Sequence, residues 1–257
     1  MSQLIMDKVI SELKEIDYDG LISLNLYNEP LLNNELESQI QNIKNQLPNC
    51  FISFNSNGDY LTSDRLESLN KSGLDEIRVT LHSNTYQDEN RKKAVQKFFN
   101  KLNIEYEINK YIPNETIQVE KEIDSINLIV MCHNWSEIGN DRAGSVKSLT
   151  KDTKNRNSPC MKPFRELVIS AEGNCYPCCN FFPNSEISEK FKIGNIGNKS
   201  IYDIFSSDVM VNFRKKLFDF SPKFHPCSTC NDVDNSSLDS NESRKLILKK
   251  ALKDSKC

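Results

Sequence analysis

The sequence predicts an α/β architecture, a partial (β/α) barrel of parallel strands, followed by a small cysteine-rich domain. Three observations predict it. Short apolar, β-rich runs recur about every 27 residues through the first half, each pair separated by a segment of helical periodicity, which is the pattern of βαβ crossovers and a parallel sheet. A polar stretch poor in hydrophobic residues, 136–159, follows. Six of the nine cysteines, Cys160, Cys175, Cys178, Cys179, Cys227 and Cys230, then fall in one C-terminal stretch, while Cys50, Cys132 and Cys257 stand alone.

The elements follow in order. Between residues 2 and 18, Ile5, Val9, Leu13 and Ile16 recur at three- and four-residue steps, one face of an amphipathic helix with Ser2 in place to cap it. Gly20 opens the β-rich run LISLNLY, which ends at Asn28-Glu29-Pro30. Leu36, Ile40, Ile43 and Leu47 mark a second helix stopped by Pro48, and CFISF at 50–54 a strand ending in the turn Asn55-Ser56-Asn57-Gly58. Ser63 to Ser72 is a helix with Gly73 as its C-terminal cap, Glu76 to His82 a strand, Asp88 to Leu102 a helix and Ile104 to Ile112 a strand. Residues 114–126 have the composition of a loop, and INLIVM at 126–131 that of a further strand. This gives a barrel-like domain over 1–135, a linker over 136–159, a cysteine-rich domain over 160–230 and a mobile polar tail over 231–257 whose basic end can form a short helix. In the cysteine-rich part, RELVIS and NCYPCC flank a Glu-Gly turn as a hairpin does, and Ile201, Ile204, Phe205, Phe213 and Leu217 suggest one long helix before Cys227-Ser-Thr-Cys230.

Composition narrows the function. With 257 residues, 37% hydrophobic and 27% charged, the chain can bury a sizeable core. Its net charge of -3 and pI of about 5.8, with positive residues scattered, leave no basic stripe for phosphate backbones, so no nucleic-acid partner is expected. No apolar run approaches a signal segment or membrane span, so no membrane partner is expected and the protein is placed in the cytoplasm. Nine cysteines in a reducing compartment are expected as metal ligands or buried thiols rather than disulfides.

In parallel βα barrels the loops after the strands carry the chemistry. Asn28-Glu29 follows the first strand, Ser56-Asn57-Gly58 the second, and Thr80, His82 and Ser83 close the third. Taken singly, these are ordinary turn formers. His133 and Trp135 follow a later strand and are candidates to face a substrate. His225 lies beside the last cysteine pair, where a histidine can simply shape the loop.

Together, YNEPLL and SFNSNGDYLTSDRLESLNKSGLDEIRVTLHS resemble the radical S-adenosylmethionine (SAM) superfamily, over roughly residues 1–112. Tyr27-Asn28 stands where that family usually has two glycines before Glu-Pro. The resemblance implies that Glu29 takes the amino group of SAM, a charge-assisted contact suited to a carboxylate. It also implies that Asn28 lies in the same motif and that Ser56, Asn57 and Thr80 lie near the ribose or the methionine carboxylate. The family's defining C-x3-C-x2-C, whose thiolates hold the SAM-cleaving 4Fe-4S cluster, does not occur in this sequence. The resemblance therefore implies a chain truncated at its N-terminus, without the first barrel strand and inactive as given, or else a degenerate, non-catalytic iron-sulfur or zinc protein.

Cys160, Gly173 and Cys178, spaced C-x12-G-x4-C, then IGNIGNKSIYDIF and Cys227-x2-Cys230, resemble the short form of the SPASM domain, called twitch. That implies one auxiliary 4Fe-4S cluster on Cys160, Cys178, Cys227 and Cys230, with Cys179 as the alternative to Cys178. The spacing alone fits zinc on the same four thiolates equally well. NDRAG at 140–144 resembles a stretch between barrel and cluster domain in some SPASM proteins, where Arg142 would contact substrate or pin the linker. The implied activity is hydrogen abstraction by a 5'-deoxyadenosyl radical from a small-molecule or peptide substrate, with an external electron donor.

Overall fold

The computed structural model describes residues 1–83, 85–139, 141–146, 155–183 and 185–232. The chain divides into two compact units, Met6–Gly139, and Asn140–Cys257 together with Met1–Ile5. The expected tail lies outside the described residues from 233 onward, and the expected linker does so between 147 and 154.

The first unit is a six-stranded sheet with helices on one side. In chain order it runs α1 (Gln3–Glu15), β1 (Leu21–Ser23), α2 (Leu36–Gln46), β2 (Phe51–Ser56), α3 (Ser63–Ser72), β3 (Glu76–Leu81), α4 (Asp88–Leu102), β4 (Lys110–Ile112), β5 (Thr116–Ile123), β6 (Ile126–His133) and α5 (Trp135–Ile138). The strand order is β1-β2-β3-β6-β5-β4. The first four are parallel; a helix joins β1 to β2 and β2 to β3, while α4, β4 and β5 come between β3 and β6. The ends of the elements are set by local chemistry. Ser2 Oγ accepts the Ile5 amide at 3.4 Å at the start of α1. Thr62 caps α3 by accepting the Arg65 amide at 3.2 Å, and Gly73 closes it in the left-handed region at φ 92°.

The structure corrects the expected sheet in three places. LISLNLY contributes only Leu21–Ser23, because the backbone then turns aside and Asn25 Oδ1 takes the Asn55 amide at 2.7 Å. The strand expected over 104–112 is confined to β4, and the loop expected over 114–126 is strand β5. In TIQVEKEI, Ile117 and Val119 are buried while Glu120 and Glu122 are exposed, the alternation of a half-buried strand hidden by its charges. β4, β5 and β6 are joined by short turns, at Asn114 (φ 61°) and Asp124 (φ 53°), so they pair antiparallel and extend the parallel sheet at one edge.

The core lies on the helix side of this sheet. Ile52 and Phe54 of β2, Ile77, Val79 and Leu81 of β3, and Leu128, Val130 and Cys132 of β6 pack with Ile40 and Ile43 of α2, Leu69 of α3 and Phe98 and Phe99 of α4. Cys50 and Cys132 belong to this core, and the Cys50 thiol donates to the Tyr18 carbonyl at 3.0 Å. On the other side the alternate residues are mostly polar: Ser53 and Asn55, Glu76, Arg78 and Thr80, Asn127 and His133, with Ile129 and Met131 of β6 among them.

The second unit holds α6 (Lys162–Arg165), β7 (Val168–Ile169), β8 (Asn174–Tyr176), α7 (Glu186–Glu189), β9 (Gly194–Asn195), α8 (Ile201–Phe205) and α9 (Asp208–Leu217). The expected hairpin is present: β7 and β8 pair antiparallel around Glu172-Gly173, and β9 adds to β8. The single helix expected over 201–217 is two, because Ser207 leaves helical geometry to cap α9 and accepts the Met210 amide at 3.4 Å. Tyr176, Phe181, Phe213 and Leu217 form its core. Among the described residues no helix is long and apolar enough to cross a membrane.

One glycine ties the turn after β2 to the core. Gly58 has φ 77°, and a Cβ there would meet Val79 Cγ1 at 2.7 Å and Phe98 Cε2 at 2.8 Å. Gly58→Ala is therefore expected to lower the unfolding free energy by about 1–3 kcal/mol, from overpacking and an unfavourable φ. A urea melt under reducing conditions checks this, and an unchanged midpoint would refute the close approach.

Candidate functional site

Two sites emerge, one in each unit. In the first, the ends of β1 and β2 are tied by one carboxylate. Glu29 is the N-cap of a 3₁₀ turn over Pro30–Leu32, and its Oε1 accepts the Leu31 amide at 3.0 Å and the Ser56 hydroxyl at 2.8 Å. Its Oε2 accepts the Asn57 amide at 2.8 Å. Ser56 Oγ in turn accepts the Gly58 amide at 2.9 Å, and Asn57 Oδ1 that of Asp59 at 2.8 Å. Three of the carboxylate's roughly four acceptor positions are thus filled by its own loops. Asn28 caps its own loop instead, taking the Leu26 amide at 3.0 Å. Thr80 is half-buried on the polar face of β3, and among the described residues no hydrogen bond joins its side chain to the Glu29 cluster.

At the same end of the sheet, His133 Nδ1 lies 3.0 Å from Thr116 Oγ1. Burial, with Arg91 and Lys110 adding to it, lowers the His133 pKa, so the neutral ring is favoured. Trp135 stands edge-on to His133 at 5.2 Å and lies 6.5 Å from His82. Its indole N–H is buried without an acceptor among the described residues. Sequence reasoning identified the two histidines and Trp135 but missed Thr116, which lay in the segment taken for a loop.

In the second unit, Cys160, Cys178, Cys227 and Cys230 all line one small, largely enclosed cavity. They arrive on three separate segments, each tied by backbone hydrogen bonds: the Cys178 carbonyl accepts the Phe181 amide at 3.3 Å. The Cys160 amide donates to Leu217 at 2.8 Å, and the Cys230 amide to Cys227 at 3.3 Å across a 3₁₀ turn. Arg156, 8% exposed, braces the wall through its guanidinium, which donates to the carbonyls of Pro159 at 2.6 Å, Asp232 at 2.8 Å and Ser158 at 3.1 Å. The thiols surround the cavity without meeting at a point: among the described residues, no three His, Cys, Asp or Glu side chains come close enough to hold a single ion.

Burial raises the pKa of Cys178 and Cys230, and pushes Cys227 up to about 12, with neighbouring thiols adding to it for Cys227. A cluster of desolvated thiols is a poor resting state for thiolates, and a metal centre is the partner that makes them favourable. The donor set fits such a group.

The remaining residues are arranged differently. Cys175 is fully buried on β8, its thiol 3.6 Å from the Gly173 carbonyl and its pKa raised to about 12 by burial. Cys179 turns toward Lys162, whose Nζ lies 3.8 Å from its sulfur. Asn180, 3% exposed, lines the cavity and brings its Nδ2 to 4.0 Å from Cys230 Sγ and 3.0 Å from Asp232 Oδ2. Its Oδ1 accepts from Arg142 at 3.3 Å, and Arg142 has φ 48°. Neither Asn180 nor Arg156 carries a motif that would have singled it out in the sequence.

Comparison with known proteins follows this division. Residues 160–231 match the SPASM family, described as an iron-sulfur cluster-binding domain. Over 234 residues, 91% of this chain, the sequence is 27% identical to the S-adenosyl-L-methionine-dependent 2-deoxy-scyllo-inosamine dehydrogenase of Niallia circulans, 81% of which is covered. The fold is shared with crystal structures of BtrN. One, in an open conformation, is 23% identical with a TM-score of 0.58, over 95% of this chain and 84% of that one. Another, in complex with AdoMet and 2-DOIA, is 22% identical with a TM-score of 0.60, over 92% and 81%. The cluster-binding match in the second unit, and a similarity to a SAM-dependent dehydrogenase that runs through both, support a radical SAM protein of the SPASM type.

Proposed function

We propose that Cys160, Cys178, Cys227 and Cys230 hold one auxiliary 4Fe-4S cluster, and that the polar ends of β1, β2 and β3 in the first unit seat SAM for radical hydrogen abstraction from a small molecule. The observation that carries this reading is the cavity whose wall contains all four of these cysteines. Four thiols set around a space suit a multi-iron cluster better than zinc, which draws its ligands to one point at about 2.3 Å. Full thiolate ligation leaves no open iron, so the centre passes electrons and does not bind substrate. When loaded, such an enzyme removes a substrate hydrogen atom with a 5'-deoxyadenosyl radical derived from SAM, and an iron-sulfur cluster can accept the remaining electron.

The chain's own residues bind and orient. Glu29 holds the Ser56-Asn57 turn in place and keeps one acceptor position for the SAM amino group. Asn28, Ser56, Asn57 and Thr80 complete the SAM side, and the polar face of the sheet takes the substrate. The similarity to a dehydrogenase of a small aminocyclitol supports a small-molecule substrate over a peptide. We place the protein in the cytoplasm, with an external electron donor and no nucleic-acid or membrane partner. C-x3-C-x2-C does not occur in the 257 residues, so the reading requires that the SAM-cleaving cluster take its ligands from outside them.

Anaerobic reconstitution with iron and sulfide is expected to give one 4Fe-4S cluster per chain. Alanine at Cys160, Cys178, Cys227 or Cys230 should abolish it, and alanine at Cys50 should not. Stoichiometric zinc without sulfide in the purified protein would sink the assignment. On the reconstituted protein, Asn180→Leu should make the midpoint potential more negative, since hydrogen bonds to cluster sulfurs raise it; an unchanged potential in a redox titration followed by electron paramagnetic resonance would deny that role to Asn180.

The chain by itself should release no 5'-deoxyadenosine from SAM under reducing conditions, whereas an extended chain carrying C-x3-C-x2-C should. In the extended chain, Glu29→Ala should weaken SAM binding about ten- to a hundredfold, the loss of one charge-assisted hydrogen bond of roughly 1.5–3 kcal/mol. Chromatography of the reaction products reads both. Cleavage by the 257-residue chain would overturn the ligand assignment, and an extended chain that is inert yet keeps its auxiliary cluster would favour a non-catalytic protein.

A further inference from the structure

On the polar face of the large sheet stands a guanidinium whose forked end the fold's hydrogen bonds leave incomplete among the described residues. Arg78 lies at the centre of β3, opposite Asn55 of β2 on one side and Ile129 of β6 on the other. An arginine on the inner strand of a parallel sheet is unexpected, since both faces of such sheets are normally apolar. Its side chain is 46% exposed.

The guanidinium is held from behind. Its Nε donates to Glu76 Oε1 at 2.6 Å, and the other oxygen of Glu76 accepts from Asn127 Nδ2 at 3.1 Å. Glu76 is only 7% exposed, and burying a carboxylate is costly unless both oxygens are satisfied, as they are here. The pair fixes the plane of the guanidinium and leaves both Nη groups without an acceptor among the described residues. Asn55, directly opposite, is exposed, and its side-chain amide likewise meets no partner among them. Thr80, two residues along the strand, lies on the same face toward the proposed SAM side.

Two forked N–H groups beside a free amide, on a wall with an apolar flank at Ile129, form a receptor for a planar or tetrahedral oxyanion. We propose that Arg78 anchors a carboxylate or phosphate of the substrate on the polar face of the sheet, with Glu76 and Asn127 as its positioning residues. The word substrate rests on the radical SAM reading; the anion site does not. The acids on this face do not block it. Glu120 stands across Ile129 from Arg78, two strand spacings or about 10 Å away, and its exposed charge is screened over about 8 Å at physiological salt.

The test uses the full chain, with inorganic phosphate and malonate as separate probes at an ionic strength held constant with chloride. The Arg78 Nε–H resonance, assigned by its disappearance in Arg78→Lys, should shift saturably with at least one probe, and the preferred probe names the anion. Binding measured by equilibrium dialysis should be lost in Arg78→Gln and weakened about tenfold or more in Arg78→Lys, which keeps the charge but not the fork. Glu76→Gln, which keeps the shape of the brace, should weaken it less than Arg78→Gln does.

No saturable shift with either probe, or undiminished binding in a folded Arg78→Gln chain, overturns the proposal. Displacement of the probe by SAM also overturns it, because the anion would then be the cofactor's own carboxylate. Iron and sulfide are measured on the same sample, so a failed anion site appears as a missing shift and a failed radical SAM reading as missing sulfide.

Discussion

The two-residue alternation of the large sheet is the constraint on which both the stability and the chemistry of the first unit depend. Residues of one parity on β2, β3 and β6 are aliphatic or aromatic and lie under α2, α3 and α4. Those of the other parity are mostly polar and form a second face without such a helical cover. A slip of one residue in any of these strands would move Arg78 or Asn55 into the core and Val79 or Phe54 out of it, so burial on one side fixes the register of the chemistry on the other. The loops inherit that register: Glu29 can reach Ser56 and the Asn57 amide because β1 and β2 end side by side.

In the second unit the analogous constraint is desolvation. Its core of Tyr176, Phe181, Phe213 and Leu217 is small, and the cysteines pack against it. The burial that stabilises those aromatic rings is the same burial that raises the thiol pKa values. A fold of this size gains little from apolar area alone, and the proposed metal centre, by converting the thiols to thiolates, would add cross-links between three segments of chain.

Much of this was legible in the sequence, for identifiable reasons. α3 and α4 lie where expected to the residue, because their apolar spacing is helical and Gly73 marks the end of α3. The four cavity cysteines stood out because their spacing, with Gly173 between the first two, resembles that of the twitch domain. β5 was not, because Glu120, Lys121 and Glu122 gave it the composition of a loop although its alternation was that of a strand. The break between α8 and α9 was hidden by continuous apolar spacing, and only the paired Ser206-Ser207 hinted at a cap. Arg78 was the least legible, since its significance comes from Glu76 on its own strand and Asn127 on a strand 49 residues further along, which only the fold brings together.

The separation of the two sheet faces also bears on how such a protein can change over evolutionary time. Because neighbouring positions along a strand project into different surroundings, a substitution at 55, 78 or 80 alters the polar face without removing an atom from the helix-covered core. A lineage can therefore exchange one ligand for another through single steps that leave folding nearly untouched, whereas the residues interleaved with them, 54, 77 and 79, are held to a narrow range of volumes. Divergence in this scaffold should then be written in every second residue of its strands.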